Sequence, residues 1–115
     1  MNKDQLIEKI ENEIKVLEVV LQVIRYKVAP VDWARLLEKD MFKSGIEQGL
    51  AIIKLKDDWI TNLSTIRMAI KNLIEHTKTQ QQRAIELSAW GTVVEKANYI
   101  KGLEYVLTQL KTLEN

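Results

Sequence analysis

TQQQRAIELSAWGTVVEKANYIKGLEYVLTQLKTL, residues 79–113, contains no proline and repeats one kind of position throughout. Ile85, Ala89, Thr92, Lys96, Tyr99, Leu103, Val106, Leu110 and Leu113 recur at alternating steps of four and three. That spacing keeps one stripe on one side of a continuous α-helix. At ~1.5 Å per residue such a helix is roughly 50 Å long. A compact ball of this chain length is only about 27 Å across, taken as twice its radius of gyration. The helix therefore outruns a compact core, and other helices, or a second chain, must run beside it.

Upstream, the same reasoning divides the chain into helices at about 3–28, 32–56 and 58–76, followed by the one at 79–113. Asn2 and Gln5 have the spacing of a reciprocal capping box. The first helix has its seam at Ile7, Ile10, Ile14, Leu17, Leu21, Ile24 and Val28, a heptad pattern typical of bundle helices. Its second half adds Val16, Val19, Val20 and Val23, which cannot all face one neighbour, so neighbours on two sides are expected. Ala29-Pro30 ends it. Asp32 caps the second helix, with Trp33 first inside. Its stripe is Phe42, Ile46, Gly49 and Ile53, and Gly45 and Gly49 lie one turn apart on one face. Glycine costs a helix about 1 kcal/mol relative to alanine, so a close helix crossing is expected at Gly45 and Gly49. Asp58-Trp59 repeats the pattern of Asp32-Trp33 and opens the third helix, with stripe Leu63, Ile66, Ile70 and Leu73. No Gly or Pro enforces that break, and the second and third helices could be continuous. Residues 75–83 lack a strongly apolar side chain, so a connection is placed near Thr77, where Thr79-x-x-Gln82 could cap the last helix. The alternative is one very long helix.

An internal repeat is visible. Phe42-Lys43-Ser44-Gly45-Ile46-Glu47 parallels Tyr99-Ile100-Lys101-Gly102-Leu103-Glu104, each followed by an aliphatic run. A duplicated hairpin would produce this, and so would coincidence among helix-compatible residues.

Whole-chain properties bound the class. The 115 residues are 46% apolar and 29% charged, with four Gly, one Pro and no Cys. This is the composition of one globular helical domain, without a disulfide framework or thiolate metal site. The net charge is +1 with signs mixed, so no global field draws in nucleic acid or anionic lipid. No apolar run reaches the ~20 residues of a membrane span, and no secretory leader is evident, which favours the cytoplasm.

Candidate chemistry is sparse. His76 is the only histidine, so two Glu-x-x-His elements for a di-iron bundle are absent; it is read as exposed at a helix C-terminus. Ser44, Ser64 and Ser88 sit in none of the strained turns that activate a serine nucleophile. Trp33, Trp59 and Trp90 could stack on bases, but packing in a core or interface is the preferred reading. Arg67, Lys71 and Lys78, with Lys54 and Lys56, could meet phosphate, against a default of solvated surface. No catalytic residue, metal ligand or cofactor site is assigned.

These readings predict an all-α, elongated, antiparallel bundle of three to four long helices with coiled-coil-like packing. The expected function is that of a non-catalytic helical protein that self-associates, with Val16, Val19, Val20, Val23, Leu103 and Leu110 at the interface. Another protein is a further candidate partner; nucleic acid and membrane are not expected ones. The alternatives are a small inhibitor or sequestering protein and, third, a nucleic-acid accessory protein. The segment YIKGLEYVLTQL, Tyr99 to Leu110, with one glycine before aliphatic heptad spacing, resembles the endings of small helical proteins of bacteriophages. That resemblance implies a virion-assembly component, found in the virion, or a host-defence inhibitor. It transfers no functional residue.

Overall fold

The computed structural model describes residues 2–26, 30–55 and 59–113. The described residues form four helices: α1 (Lys3–Tyr26), α2 (Trp33–Lys54), α3 (Trp59–Glu86) and α4 (Trp90–Lys111). Two of the anticipated caps are present. The Gln5 backbone N–H donates to Asn2 Oδ1 at 2.8 Å, and the Asn2 N–H donates to Gln5 Oε1 at 3.0 Å. Asp32 Oδ1 accepts from the Arg35 N–H at 3.1 Å, and Trp33 is the first residue of α2. The expected cap at Asp58 and the seam residue Val28 lie outside the described residues.

Helices adjacent in sequence pack antiparallel. In the first hairpin, Lys43 Nζ lies 3.7 Å from Glu18 and Lys54 Nζ 3.2 Å from Glu11, so α2 descends as α1 rises. In the second, the Gln81 side-chain amide donates to the Val93 carbonyl at 3.3 Å across the α3–α4 turn. The hairpins join through α2 and α4, the most extensive helix pairing in the molecule. Gly45 meets Gly102 backbone to backbone, and one turn on Gly49 meets Val106, so α2 and α4 run the same way where they cross. Leu6, Ile10 and Leu17 of α1, Ile46 and Ile53 of α2, Ile66 and Ile70 of α3, and Leu103, Val106 and Leu110 of α4 form the main core around and below this crossing. A smaller cluster, Leu21, Ile24 and Leu36 with Val20 and Val31 beside it, holds the α1–α2 tip. The radius of gyration is 15.5 Å and the extents are 47 × 36 × 22 Å. A compact chain of this length would have a radius near 13 Å, so the bundle is elongated.

The internal repeat extends to the whole architecture. α2 spans Trp33–Lys54 and α4 spans Trp90–Lys111, 57 positions later at both ends. α1 ends at Tyr26 and α3 at Glu86, 60 positions later. The three-residue difference is taken up between the helices, by six residues after α1 and three after α3. Burial follows the same offset: Leu6, Ile10, Leu17 and Ile24 correspond to Ile66, Ile70, Thr77 and Ala84, all buried. The crossing is reciprocal. A Cβ on Gly45 would strike the Tyr99 carbonyl oxygen, and one on Gly102 would strike the Phe42 carbonyl oxygen. Two like hairpins thus meet about a local pseudo-twofold axis between Gly45 and Gly102.

Several expectations are corrected. The chain does not break near Thr77, because α3 runs through it to Glu86. The Thr77 hydroxyl donates to the Leu73 carbonyl at 2.7 Å and the Thr79 hydroxyl to the Glu75 carbonyl at 3.1 Å. Their hydroxyls are thereby satisfied inside the helix and cap nothing. The opening stretch is not one helix, for it breaks at Leu87–Ala89. Ser88 adopts φ 56°, the Ala89 N–H donates to the Ala84 carbonyl at 2.8 Å, and the Ser88 N–H donates to the Ile85 carbonyl at 3.0 Å. That is a Schellman ending, in which glycine is the usual left-handed residue. Ile85 and Thr92 accordingly leave the stripe and are exposed, while Leu103, Val106 and Leu110 keep it. α4 docks chiefly on α2 and α3 and touches α1 only marginally. Among the described residues, none covers Val16, Val19 and Val23 of the second apolar stripe of α1, which are exposed.

Candidate interaction surface

On α1, the core-facing residues Leu17, Leu21 and Ile24 lie on one side. Val16, Val19, Val23 and Tyr26, spaced three, four and three, lie on the other, since a 100° step per residue sets the two groups roughly opposite. The solvent-exposed fractions are 56% for Val16, 61% for Val19, 40% for Val23 and 78% for Tyr26. A contiguous row of this kind is uncommon on the outside of a bundle, where polar residues normally stand. Val20, one step round, is half-buried against the small cluster at the tip.

The six residues expected at an interface therefore separate. Val16, Val19 and Val23 are on the outside and Val20 is at the margin. Leu103 and Leu110 are fully buried in the chain's own core and are unavailable to a second molecule. The packing between the two hairpins already occupies the face on which they lie. Gly45 and Gly49 are both at the crossing, as their position on one face predicted. Gly102, which completes it, had its signal in the internal repeat.

The remaining candidates are dispersed. His76 is in the middle of α3, not at a helix end, and its Nε2 is 3.3 Å from the Gln80 side-chain amide. Trp33 and Trp90 are 71% and 61% exposed at the first positions of α2 and α4, so neither packs in the core. Ser88 does occupy a strained turn, but His76 lies about three helical turns upstream on α3, out of reach of it. Lys71 and Lys78 border a groove of about 470 Å³ between α3 and α4, together with Glu75 and Glu104. Lys78 is paired with Glu75 at 3.5 Å and Lys54 with Glu11 at 3.2 Å, so the suggested basic patch is divided among ion pairs of mixed sign. Lys56 lies outside the described residues.

Two tyrosines feel the crossing. Burial pushes the Tyr99 hydroxyl above the ordinary tyrosine value, and burial, with the Glu13 carboxylate, does the same to Tyr105. Each side chain thus favours its neutral form. Phe42 meets Tyr105 edge-on at 6.2 Å between ring centroids. Among the described residues, no three His, Asp or Glu side chains converge as metal ligands, and no helix is long and apolar enough to cross a membrane. No family model, curated protein sequence or solved structure matches this chain.

Proposed function

We propose that this chain is a non-catalytic helical interaction protein that associates with itself. The observation that carries the reading is the exposed row Val16, Val19, Val23 and Tyr26 on the side of α1 turned away from the core. Leaving such a row in water forgoes roughly 1.5–3 kcal/mol for each large apolar side chain that a partner could cover. The two hairpins meet each other mainly through α2 and α4, so the outside of α1 takes no part in joining them. The resemblance of Tyr99–Leu110 to small bacteriophage proteins makes virion assembly the process to test first, with the virion or the cytoplasm as its place. Sedimentation equilibrium of the full chain over a concentration series is the test. An assembly at tens of micromolar supports the reading, and a monomer there overturns it.

A further inference from the structure

The two hairpins close through turns of different kinds. Between α1 and α2 stand six residues, with Pro30 among them and Asp32 capping the helix that follows, so no straight helix can run through. Between α3 and α4 stand only Leu87, Ser88 and Ala89, with no glycine and no proline. Ser88 takes the left-handed conformation, φ 56°, where glycine is the usual residue and a side chain is unfavourable. Ala89 gives α4 no side-chain cap. Leucine and alanine are among the best helix formers, and the four-and-three spacing of Ile85, Ala89, Thr92, Lys96 and Tyr99 runs through the turn without a slip. The turn's own backbone bonds, Ala89 to Ala84 and Ser88 to Ile85, would be replaced in a straight helix by Ala89 to Ile85 and Ser88 to Ala84. What favours the turn is the docking of α4, against a local sequence suited to helix.

If the turn straightens, α4 leaves its seat on its own chain. Its apolar side, Ile100, Leu103, Val106 and Leu110, is shaped for α2 and α3, and the glycine crossing accepts nothing bulkier. The α2–α3 surface of a second copy offers the same seat. Two copies that exchange α4 restore every helix contact seen within one chain, including Gly45 against Gly102, so no new interface has to be built. The register follows from the present hairpin. Gln81 meets Val93 across the turn, and residue 87 is midway between them. Kept between copies, that register sets the two straightened helices antiparallel with their Leu87 positions together. Leu87, Trp90 and Val94, all exposed around the present turn, recur at three and four on one side of the straightened helix, beside that meeting point.

We infer that the α3–α4 turn is a hinge, and that the chain has a second, long-lived form in which two copies exchange α4 through a continuous α3–α4 helix. This form does not use the outside of α1 and is independent of the association proposed above. The full chain, refolded at high concentration and then diluted, should separate on size exclusion into a monomer and a dimer that persists. Ser88→Ala keeps the left-handed cost and favours helix, so it should raise the dimer fraction by about threefold or more; Ser88→Gly does the opposite on both counts and should lower it by as much. Gly91→Ala lies inside α4 in both forms and should leave the fraction unchanged, as should Val19→Glu on the outside of α1. Because the chain has no cysteine, exchange can be read directly. Lys71 and Glu104 border one groove between α3 and α4. A Lys71→Cys copy refolded together with a Glu104→Cys copy should be joined to it by a short thiol crosslinker in the dimer. No persistent dimer of Ser88→Ala, equal fractions from the two Ser88 variants, or a dimer whose two cysteine copies do not crosslink would overturn the inference. None of these outcomes bears on reversible association of the native chain, which the sedimentation series tests separately.

Discussion

The two hairpins are alike where they touch each other and different almost everywhere else. α2 and α4 have the same length, begin with an exposed tryptophan and meet at the crossing through the equivalent glycines Gly45 and Gly102, to which α2 adds Gly49 against Val106. The first hairpin has a side-chain cap at Asp32, leucines at positions 17 and 21 of α1 and an apolar exterior. The second has Ala89 in the capping position with no side-chain bond, Thr77 and Gln81 at the equivalents of Leu17 and Leu21, and the polar residues His76, Thr79, Arg83 and Glu86 at the equivalents of the α1 row, its exposed apolar residues lying instead at Met68 and around the α3–α4 turn. The common part is dictated by backbone proximity, which tolerates almost no variation. The divergent parts are those where several side chains satisfy the same packing.

The crossing offers the largest test of this comparison. Gly45→Ala would drive a methyl into the Tyr99 carbonyl and to 2.9 Å from the Gly102 Cα; Gly102→Ala would do the same to the Phe42 carbonyl and to 2.8 Å from the Gly45 Cα. Neither neighbour is a flexible side-chain end, so the helices must separate. Each substitution should cost about 3 kcal/mol or more, at or beyond the top of the usual overpacking range, and the two costs should be close. Urea denaturation of both variants measures this, and clearly unequal costs would break the equivalence. Gly49→Ala meets the Val106 side chain at 2.8–2.9 Å and should be destabilising but milder.

The caps should sharpen the contrast at an intermediate level. Asp32→Ala removes the bond to the Arg35 N–H and should lower stability by about 1 kcal/mol. Ala89→Asp, at a residue with nearly the same backbone angles, should raise it by about as much. Thermal melts of the two variants should shift in opposite directions. The smallest effect is expected at Gly91, where an added Cβ meets no atom within 4 Å. Gly91→Ala should stabilise by a few tenths of a kcal/mol up to about 1, opposite in sign to both crossing glycines in the same assay.

Much of the architecture was legible in sequence because it rests on periodicity. The three-four spacing from Ile10 to Ile24 located the buried side of α1, and the Gly45–Gly49 face located the crossing. The repeat around Gly45 and Gly102 raised a duplicated hairpin against coincidence, whereas the pairing of α2 with α4 through these glycines comes from the structure alone. The α3–α4 boundary was misplaced for a physical reason. Residues 75–83 are polar, yet Thr77 is buried with its hydroxyl bonded to its own helix, so polarity did not mean a loop there. The true turn contains neither glycine nor proline, since Ser88 takes the left-handed conformation itself. On the candidate surface, the excess of valines on α1 was readable, but their orientation was not. Leu103 and Leu110 have the same spacing as an interface stripe, and spacing does not say whether the covering helix belongs to the same chain.

The crossing also has a temporal side. Contacts within each hairpin join residues close in sequence, whereas Gly45 and Gly102 must find each other across more than half of the chain's described length. Closing that distance costs entropy before any contact repays it. The hairpins should therefore take shape first and dock last, with the glycine contact forming after the rate-limiting barrier. On that order of events, Gly45→Ala and Gly102→Ala should leave the refolding rate nearly unchanged in stopped-flow measurements and express almost their whole cost as faster unfolding. A molecule built this way holds itself together by slow undocking, so its lifetime against a protease would be set at two positions that carry no side chain.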